Sequence, residues 1–355
     1  MPSRYSNPIA ISVALFVAYL PVAAGPFVDK AAKLELISNQ FQLADGPSWN
    51  GSRLFIPDVK GETVYQYDPK SGTMDTIVPD AGRISASYFN NSRLYLSENA
   101  HGRISWLDSR KQIDPIAGQD LGVNPRARPN DLVADDLGGI YFTLTGLGQV
   151  VYIDPDGNQR IAVSNIASPN GLILSPDQKI LYAAATGTKK IWAFPILSHG
   201  KTGPGRLFAA MDSGHEKGAD GMCVDRAGNV YCAGPKHIWI WSPSGELLEK
   251  IETPERPINC TFGDSDLRSL YITGFGGLYR IRMNAYGVAT NPPFEAGLVQ
   301  GTDKRPTTEI PPSVASHLNV VYIPMEIENC GATYSDQQRP AGTFPALSSS
   351  TGEAG

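Results

Sequence analysis

The chain has 355 residues, of which 41% are apolar, with 36 glycines, 28 prolines and a formal net charge of -5. The length allows a large core, and the glycine and proline content is typical of a turn-rich β protein. The small charge and the lack of a basic stripe argue against a nucleic-acid partner.

The N-terminus has the pattern of a secretory signal peptide. Arg4 supplies a positive charge, residues 9–22 form an apolar run, and small residues follow, so we predict cleavage after Ala24. A membrane anchor is the alternative, but the run is shorter than the roughly 20 residues of a spanning helix. We therefore assign residues 1–24 to a signal peptide. We expect a secreted or periplasmic protein with no stable membrane span after cleavage.

Residues 25–287 carry a pattern that recurs six times. Each repeat opens on a small side chain with an oxygen atom, and a second apolar strand begins nine to eleven residues later. Repeats of about 40–50 residues made of short strands are typical of propeller blades. The fold class is therefore predicted to be all-β, a six-bladed β-propeller. The opening residues are Asp45, Ser85, Asn130, Asn170, Asp220 and Asn259.

The sixth repeat lacks a fourth strand, whereas residues 34–38 form a strand candidate with no partner of its own. Pairing the two would close the ring and remove an exposed sheet edge. We therefore predict that an N-terminal strand completes the last blade. Residues 288–355 are rich in Pro, Ser, Thr and Gly and are predicted to form a largely irregular C-terminal tail.

Cysteine usage gives a weaker signal. Cys223 and Cys232 flank a predicted hairpin, and a two-residue turn would place them directly opposite each other. Both a disulfide and two free buried thiols remain open, since directly opposed residues strain the bond geometry. The sequence contains no Cys/His cluster of the kind that would indicate a zinc site.

The opening residues indicate a cation site. First strands line the central channel of a propeller, so the six openings converge near its mouth. Ca²⁺ takes carboxylate and carboxamide oxygens, and softer metals would call for imidazole or thiolate. The predicted ligands are Asp45, Asn130, Asn170 and Asp220. Asp-Gly and Asn-Gly are also common turn pairs, but the predicted hairpin tips lie some eight residues further on.

Two nearby residues are candidates for substrate binding. Arg128 precedes Asn130 by two positions, and its guanidinium offers rigid paired donors for a polar or anionic substrate. His101 follows the second strand of the second repeat and could face the same mouth. The alternative for both is a solvated loop side chain.

At these residues the chain resembles the family of senescence marker protein (regucalcin), gluconolactonase and luciferin-regenerating enzyme. The motifs are Ala44-Asp45-Gly46-Pro47, Arg128-Pro129-Asn130-Asp131, Ser168-Pro169-Asn170-Gly171 and Ala219-Asp220-Gly221-Met222. The resemblance implies one divalent cation held by Asp45, Asn170 and Asp220, with Arg128 and Asn130 on the substrate. Asp45 departs from the family, whose first ligand is usually Glu.

The resulting hypothesis is an exported, metal-dependent hydrolase that opens a sugar lactone or related ester. The cation is Ca²⁺ in the first instance, with Zn²⁺, Mn²⁺ or Mg²⁺ as alternatives. Asp220 is the first candidate for the general base and Asp131 the second. The alternative function is a non-catalytic, calcium-binding propeller that acts as a binding or scaffold module. The sequence carries no signal for an oligomeric state.

Overall fold

A computed structural model describes residues 19–21, 26–108, 110–116, 124–212, 214 and 216–289. The described residues form six antiparallel sheets, and consecutive strands of each sheet are neighbours. The fold is therefore a six-bladed β-propeller, as the sequence predicted.

Each blade runs from an inner strand to an outer one. Blade 1 contains Ser48–Trp49, Leu54–Asp58, Thr63–Asp68 and Thr73–Val78, and blade 2 contains Ile84–Asn90, Arg93–Glu98, Arg103–Leu107 and Ile113–Pro115. Blade 3 contains Pro129–Ala134, Ile140–Leu144, Gln149–Ile153 and Gln159–Val163, and the short 3₁₀ helix Thr145–Leu147 links its second and third strands.

The second half of the ring is similar. Blade 4 contains Pro169–Leu174, Ile180–Ala185, Lys190–Ser198 and Arg206–Ala210, and the long third strand also pairs with Lys201–Thr202. Blade 5 contains Met222–Val224, Val230–Ala233, His237–Trp241 and Leu247–Glu252. Blade 6 contains Pro257–Gly263, Ser269–Gly274 and Gly277–Arg282, to which an N-terminal strand adds.

That N-terminal strand, Lys33–Ser38, closes the ring. It pairs antiparallel with Gly277–Arg282, with Glu35 opposite Arg280, and the two side chains form an ion pair at 2.6 Å. Leu34 is buried in the core between blades 5 and 6. The predicted closure is thus confirmed. The backbone of Tyr19–Pro21 pairs with the outer side of the same strand.

The turn after an inner strand is held by a polar residue. In blade 3, Asp135 accepts the backbone N–H groups of Leu137 and Gly139 and the hydroxyl of Tyr152. Asp225 does the same in blade 5, where it accepts Asn229 N–H and the Tyr231 hydroxyl. The side chains at these positions accept hydrogen bonds from backbone amides of the turn, which would otherwise be buried without a partner.

The hairpin of blade 5 has a different register from the one considered above. Val224 pairs with Val230, so the turn spans five residues and Cys223 lies opposite Tyr231. Cys223 therefore does not face Cys232. Its sulfur lies 3.5 Å from that of Cys260 on the inner strand of blade 6, and Cys223, Cys232 and Cys260 are free, buried thiols.

Other sequence predictions fall mostly outside the described residues. The predicted signal peptide, residues 1–24, is described only at its strand 19–21, and the predicted tail only at 288–289. Within the described part of the chain, no helix is long and apolar enough to cross a membrane.

Candidate active site

The inner strands of the six blades start at the same end of the channel, which we call the hub. In blade 3, Pro129 pairs with Leu144 at the end of the second strand, and Asn130 follows it. In blade 4, Pro169 pairs with Ala185, and Asn170 follows it. The equivalent positions in blades 1, 2 and 5 hold Asp45, Ser85 and Asp220.

Blade 6 departs from the predicted pattern by one residue. Pro257 pairs with Gly274, the last residue of its second strand, so the residue equivalent to Asn130 is Ile258. Asn259 occupies the next position, the one that Asp131 holds in blade 3. The ring at the hub therefore has five polar members and one apolar member, and Asn259 does not belong to it.

Asp131 and Asn259 form a floor across the channel. Each accepts the backbone N–H of the following residue through its side-chain oxygen, at 2.8 Å. The Asn259 amide nitrogen lies 3.4 Å from Asp131 Oδ2 and 3.5 Å from Asp45 Oδ1. Side chains from blades 1, 3 and 6 thus meet near the channel axis.

Close approach explains why glycines stand beside the floor. A Cβ atom on Gly221 would lie 1.9–2.2 Å from the amide atoms of Asn259, and one on Gly46 would lie 2.2 Å from the Cα of Ala86. The Asp-Gly and Asn-Gly pairs are therefore not hairpin turns. They lie where the chain enters the inner strand, and the glycine leaves room for neighbouring blades.

Of the three carboxyl groups at the hub, those of Asp131 and Asp220 are buried and that of Asp45 is partly buried, and the pKa values of all three are raised. Burial, and then the charges of Asp220 and Asp131, raise the pKa of Asp45 well above its ordinary value. Burial raises the pKa of Asp131 to about 7. Burial also raises the pKa of Asp220 to about 6, against the opposing effect of the Arg256 guanidinium. When its carboxyl groups are ionised, the hub thus carries more negative charge than the neighbouring protein groups neutralise.

Arg256 is a hub residue that the sequence analysis missed. It directly precedes the inner strand of blade 6, and its Nη2 donates to Asp220 Oδ2 at 2.6 Å. The sequence offered one signal for it, the Arg-Pro pair that also opens the motif at Arg128.

The two predicted asparagine ligands are held by their backbones. Ser85 donates its hydroxyl to the carbonyl of Asn130 at 2.6 Å, and Thr143 donates to that of Asn170 at 2.7 Å. Among the described residues, neither carboxamide has a hydrogen-bond partner. Both side chains are partly exposed, so their oxygens are free to bind a ligand.

Arg128 and His101 lie at the same end of the channel. Arg128 is exposed, and its Nη1 donates to the carbonyls of Asn99 and Ala100 in the neighbouring blade. His101, next in that loop, contacts the buried carboxylate of Glu98 through Nδ1 at 2.9 Å. The structure thus brings both substrate-binding candidates to one loop at the mouth, with the His101 side chain 52% exposed.

The donor set fits a hard cation. The predicted ligands Asp45, Asn130, Asn170 and Asp220 offer only oxygen atoms, and two carboxylates supply the charge that such an ion requires. Buried carboxyl groups with raised pKa values are also stabilised by a nearby cation. The residues present at the hub therefore fit a divalent cation.

A second polar cluster lies at the other end of the inner strands. Asp135, Asp136 and His199 bring their ligand atoms within 4.8 Å of one another. The Asp135 oxygens already accept hydrogen bonds from the turn and from Tyr152, and the same carboxylate contacts His199. A cavity of about 130 Å³ lies in this half of the channel, lined by Asp131 and Asn259 but by none of the four predicted ligands.

Comparisons with known proteins identify the family of this chain. The family model for the SMP-30/Gluconolactonase/LRE-like region matches residues 43–275. A gluconolactonase from Zymomonas mobilis subsp. mobilis is 28% identical over 299 residues, which cover 73% of this chain and 84% of that protein. A 6-deoxy-6-sulfogluconolactonase from Pseudomonas putida is 27% identical over 248 residues, covering 65% of this chain and 82% of that protein.

Among solved structures, a gluconolactonase from Xanthomonas campestris has a similar fold. Its TM-score is 0.65 at 26% identity, covering 75% of this chain and 98% of that one. The region that the family model matches, residues 43–275, includes the hub residues of all six blades. The chain therefore belongs to the SMP-30/gluconolactonase/LRE-like family.

Proposed function

We propose that this chain is a lactone hydrolase that opens a sugar lactone of the gluconolactone type with the help of a divalent cation at the hub. Family membership and the relatives named as gluconolactonase and sulfogluconolactonase support lactone hydrolysis. The metal dependence is supported by the oxygen-bearing side chains at equivalent openings of four blades, beside carboxyl groups with raised pKa values.

Asp45, Asn130, Asn170 and Asp220 would hold the cation. Ca²⁺ is the first candidate because the donors are all hard oxygens on separate strands, a set that suits its flexible coordination. Asp45 is one methylene shorter than the family's usual Glu, so a water molecule or a shifted ion would fill the difference. When bound, the cation polarises the lactone carbonyl and stabilises the negative charge that develops on its oxygen.

Hydrolysis needs a base that removes a proton from the attacking water. The water oxygen bonds to the carbonyl carbon, the ring C–O bond breaks, and the ring oxygen takes the proton back from the base and leaves as a hydroxyl group. A pKa value and a contact support Asp131 over Asp220 in this role. Asp131 lies on the floor with a pKa of about 7, which suits proton transfer near neutral pH, whereas Asp220 is a predicted ligand and is already paired with Arg256.

Substrate orientation would fall to the residues at the mouth. One Arg128 nitrogen is used by two backbone carbonyls, so the rest of the guanidinium can donate to hydroxyls of a sugar. His101 is held by Glu98 and presents its other ring nitrogen to the same space. Groups of this kind, fixed by neighbouring contacts, lower the entropy lost when a substrate is positioned.

The experiment measures glucono-δ-lactone hydrolysis by the chelator-stripped protein with and without added Ca²⁺. We expect activity to depend on Ca²⁺, and Asp220→Ala, Asn170→Ala and Asp131→Asn each to reduce kcat/KM by about 100-fold or more. His199→Ala is the matched control, because His199 lies at the far end of the channel, and it should retain activity.

Hydrolysis that survives both ligand substitutions and chelation would rule out the metal-dependent mechanism. A panel of lactones and aryl esters tests the alternative. No turnover on any of them, together with tight Ca²⁺ binding, would instead support a non-catalytic binding module.

A further inference from the structure

Arg256 occupies a place in the ring equivalent to that of Arg128. Each arginine is followed by the proline that starts an inner strand and pairs with the last residue of the second strand. Blades 3 and 6 face each other across a six-membered ring, so the two arginines approach the hub from opposite sides. Each reaches back to the preceding blade, but their contacts differ.

Arg128 binds uncharged groups, the carbonyls of Asn99 and Ala100. Arg256 instead binds a charge. Its Nη2 lies 2.6 Å from Asp220 Oδ2, and the two side chains are only 26% and 8% exposed. Its Nε is buried with no hydrogen-bond partner in the described structure. The guanidinium is therefore committed to the hub carboxylate rather than to the solvent.

The hub has a charge imbalance that this contact reduces. The carboxylates of Asp45 and Asp131 lie 3.5 and 3.4 Å from one neutral group, the Asn259 amide nitrogen, and Asp220 is the third acidic side chain at the hub. The other hydrogen bonds that Asp45 and Asp131 accept from described residues come from backbone N–H groups, which are also neutral. Among the described residues, Arg256 is the one cationic side chain bonded to any of the three.

We propose that Arg256 is the internal counter-ion of the hub, which stabilises the cation-free propeller and competes with a divalent cation for Asp220. The proposal rests on the proposed function only in taking the hub as the cation site. It makes Arg256 act on cation binding by its charge, through its contact with Asp220.

Two opposite effects on cation binding can be told apart. If Arg256 served only to orient Asp220, its removal would weaken cation binding, because a disordered ligand binds less well. If it is a competing charge, its removal takes a positive charge away from a divalent ion, and binding becomes tighter. The proposal commits to the second outcome.

The test compares Arg256→Gln with Arg256→Lys and with Arg128→Gln as the matched control. Calcium affinity of the chelator-stripped proteins is measured by calorimetric titration, and thermal unfolding is followed with and without Ca²⁺. We expect Arg256→Gln to bind Ca²⁺ about tenfold more tightly or better, since a neighbouring charge shifts ionic equilibria by that order. Its melting temperature without Ca²⁺ should fall by about 5 °C.

Arg256→Lys keeps the charge, so its calcium affinity should stay near that of the unchanged protein. Arg128→Gln should alter calcium affinity by less than about threefold, because Arg128 contacts no hub carboxylate. Unchanged or weaker calcium binding by Arg256→Gln would overturn the proposal, and so would an equal effect of Arg128→Gln.

The proposed function can fail separately. If Arg256→Gln binds Ca²⁺ more tightly while no lactone is hydrolysed by any form, the counter-ion stands and the hydrolase falls. If the unchanged protein binds no Ca²⁺ but Arg256→Gln does, the competition is supported directly. If neither binds Ca²⁺, the competition is refuted, whatever the lactonase assay gives.

Discussion

At the scale of residues, the hub is defined by buried carboxyl groups that repel each other. Burial is the main cause of the raised pKa values of Asp45, Asp131 and Asp220, and a buried charge is costly unless it is paired. The floor amide of Asn259 and the guanidinium of Arg256 compensate only part of this cost. The cation-free protein should therefore be sensitive to pH in a specific direction.

We predict that the unfolding free energy of the cation-free protein falls as pH rises from about 4 to 8. The pKa values of Asp220 and Asp131, about 6 and about 7, lie above the ordinary value of 3.8. The folded state thus holds these protons more tightly than the unfolded state does. The resulting stabilisation, about 3–4 kcal/mol for each of the two groups, is complete below about pH 4 and is lost as pH rises through about 6 and 7.

Denaturant unfolding in chelator at pH 5 and pH 8 measures this loss. Asp131→Asn, which has no proton to lose, should show a smaller fall between the two pH values. A difference that is the same in both proteins would contradict the assignment to Asp131.

A second prediction concerns the glycine beside the floor. Gly221→Ala would place a methyl group inside van der Waals contact of the Asn259 amide, so we expect a loss of about 1–3 kcal/mol in unfolding free energy. Gly187→Ala is the control, because its new Cβ would lie 3.5 Å from its nearest neighbour, the Ser168 hydroxyl. Equal melting temperatures for the two variants would show that the floor tolerates the shift.

The sequence predicted which inner strands carry oxygen donors, because the openings recur at blade spacing. It did not predict that Asn259 stands one position beyond the ring. Blades 2, 3, 4 and 6 share the same irregular pairing at the start of the inner strand, so the position of Asn259 follows from the alignment of Arg256-Pro257 with Arg128-Pro129. The oxygen-bearing side chain of Asn259 obscured that alignment. Arg256 was missed because its partner Asp220 belongs to another blade, and sequence spacing does not encode contacts between blades.

At the scale of elements, the closing strand Lys33–Ser38 joins the two ends of the ring. It supplies the fourth strand of blade 6 and protects an edge that would otherwise be open. This element was predictable because one repeat lacked a strand and one strand lacked a repeat. The register of the blade 5 hairpin was not predictable, because the sequence around Gly228 is compatible with a turn of two residues or of five.

We predict that the closing strand limits the stability of the whole ring. Leu34 is 1% exposed and packs between blades 5 and 6, so Leu34→Ala should cost about 2–4 kcal/mol of unfolding free energy. Leu247→Ala on the outer strand of blade 5 is the control, because Leu247 is 43% exposed, and it should cost less than about 0.5 kcal/mol.

Deletion of residues 32–40 is the stronger form of the test and should prevent folding. A folded, active protein without them would show that the propeller does not need the closure.

At the scale of the whole molecule, the family and the fold predicted from the sequence are confirmed. The repeat length indicated a propeller, the six repeats predicted six blades, and the motifs at their openings indicated the family. The lactone hydrolase is supported by the relatives, while the cation and the roles of the hub residues stay predictions. No residue pattern indicated the substrate, because the mouth is built from loops whose side chains meet only in the folded ring.

We further propose that the protein is exported. The expected result is a mature chain that begins at Gly25 in the periplasmic or secreted fraction, since the residues before it have the charge, length and small side chains of a cleaved signal. Mass spectrometry of the N-terminal peptide after cell fractionation measures this. A chain that retains Arg4 and stays in the cytoplasm would contradict it, and expression from residue 25 onward is the matched control.

Hydrogen bonds between neighbouring blades surround the hub. Hydroxyl groups bond to the backbone of an adjacent blade, from Ser87 to Gly46, Ser85 to Asn130, Thr143 to Asn170 and Thr186 to Ala219. Backbone hydrogen bonds from Gly221 to Ile258 and from Ala44 to Gly274 complete the circle. These hydrogen bonds, made by short side chains and the backbone, therefore set the diameter of the channel opening independently of any bound ion. Binding of a cation should therefore leave hydrogen exchange of the inner-strand amides nearly unchanged, because the blades are already held in place before the ion binds.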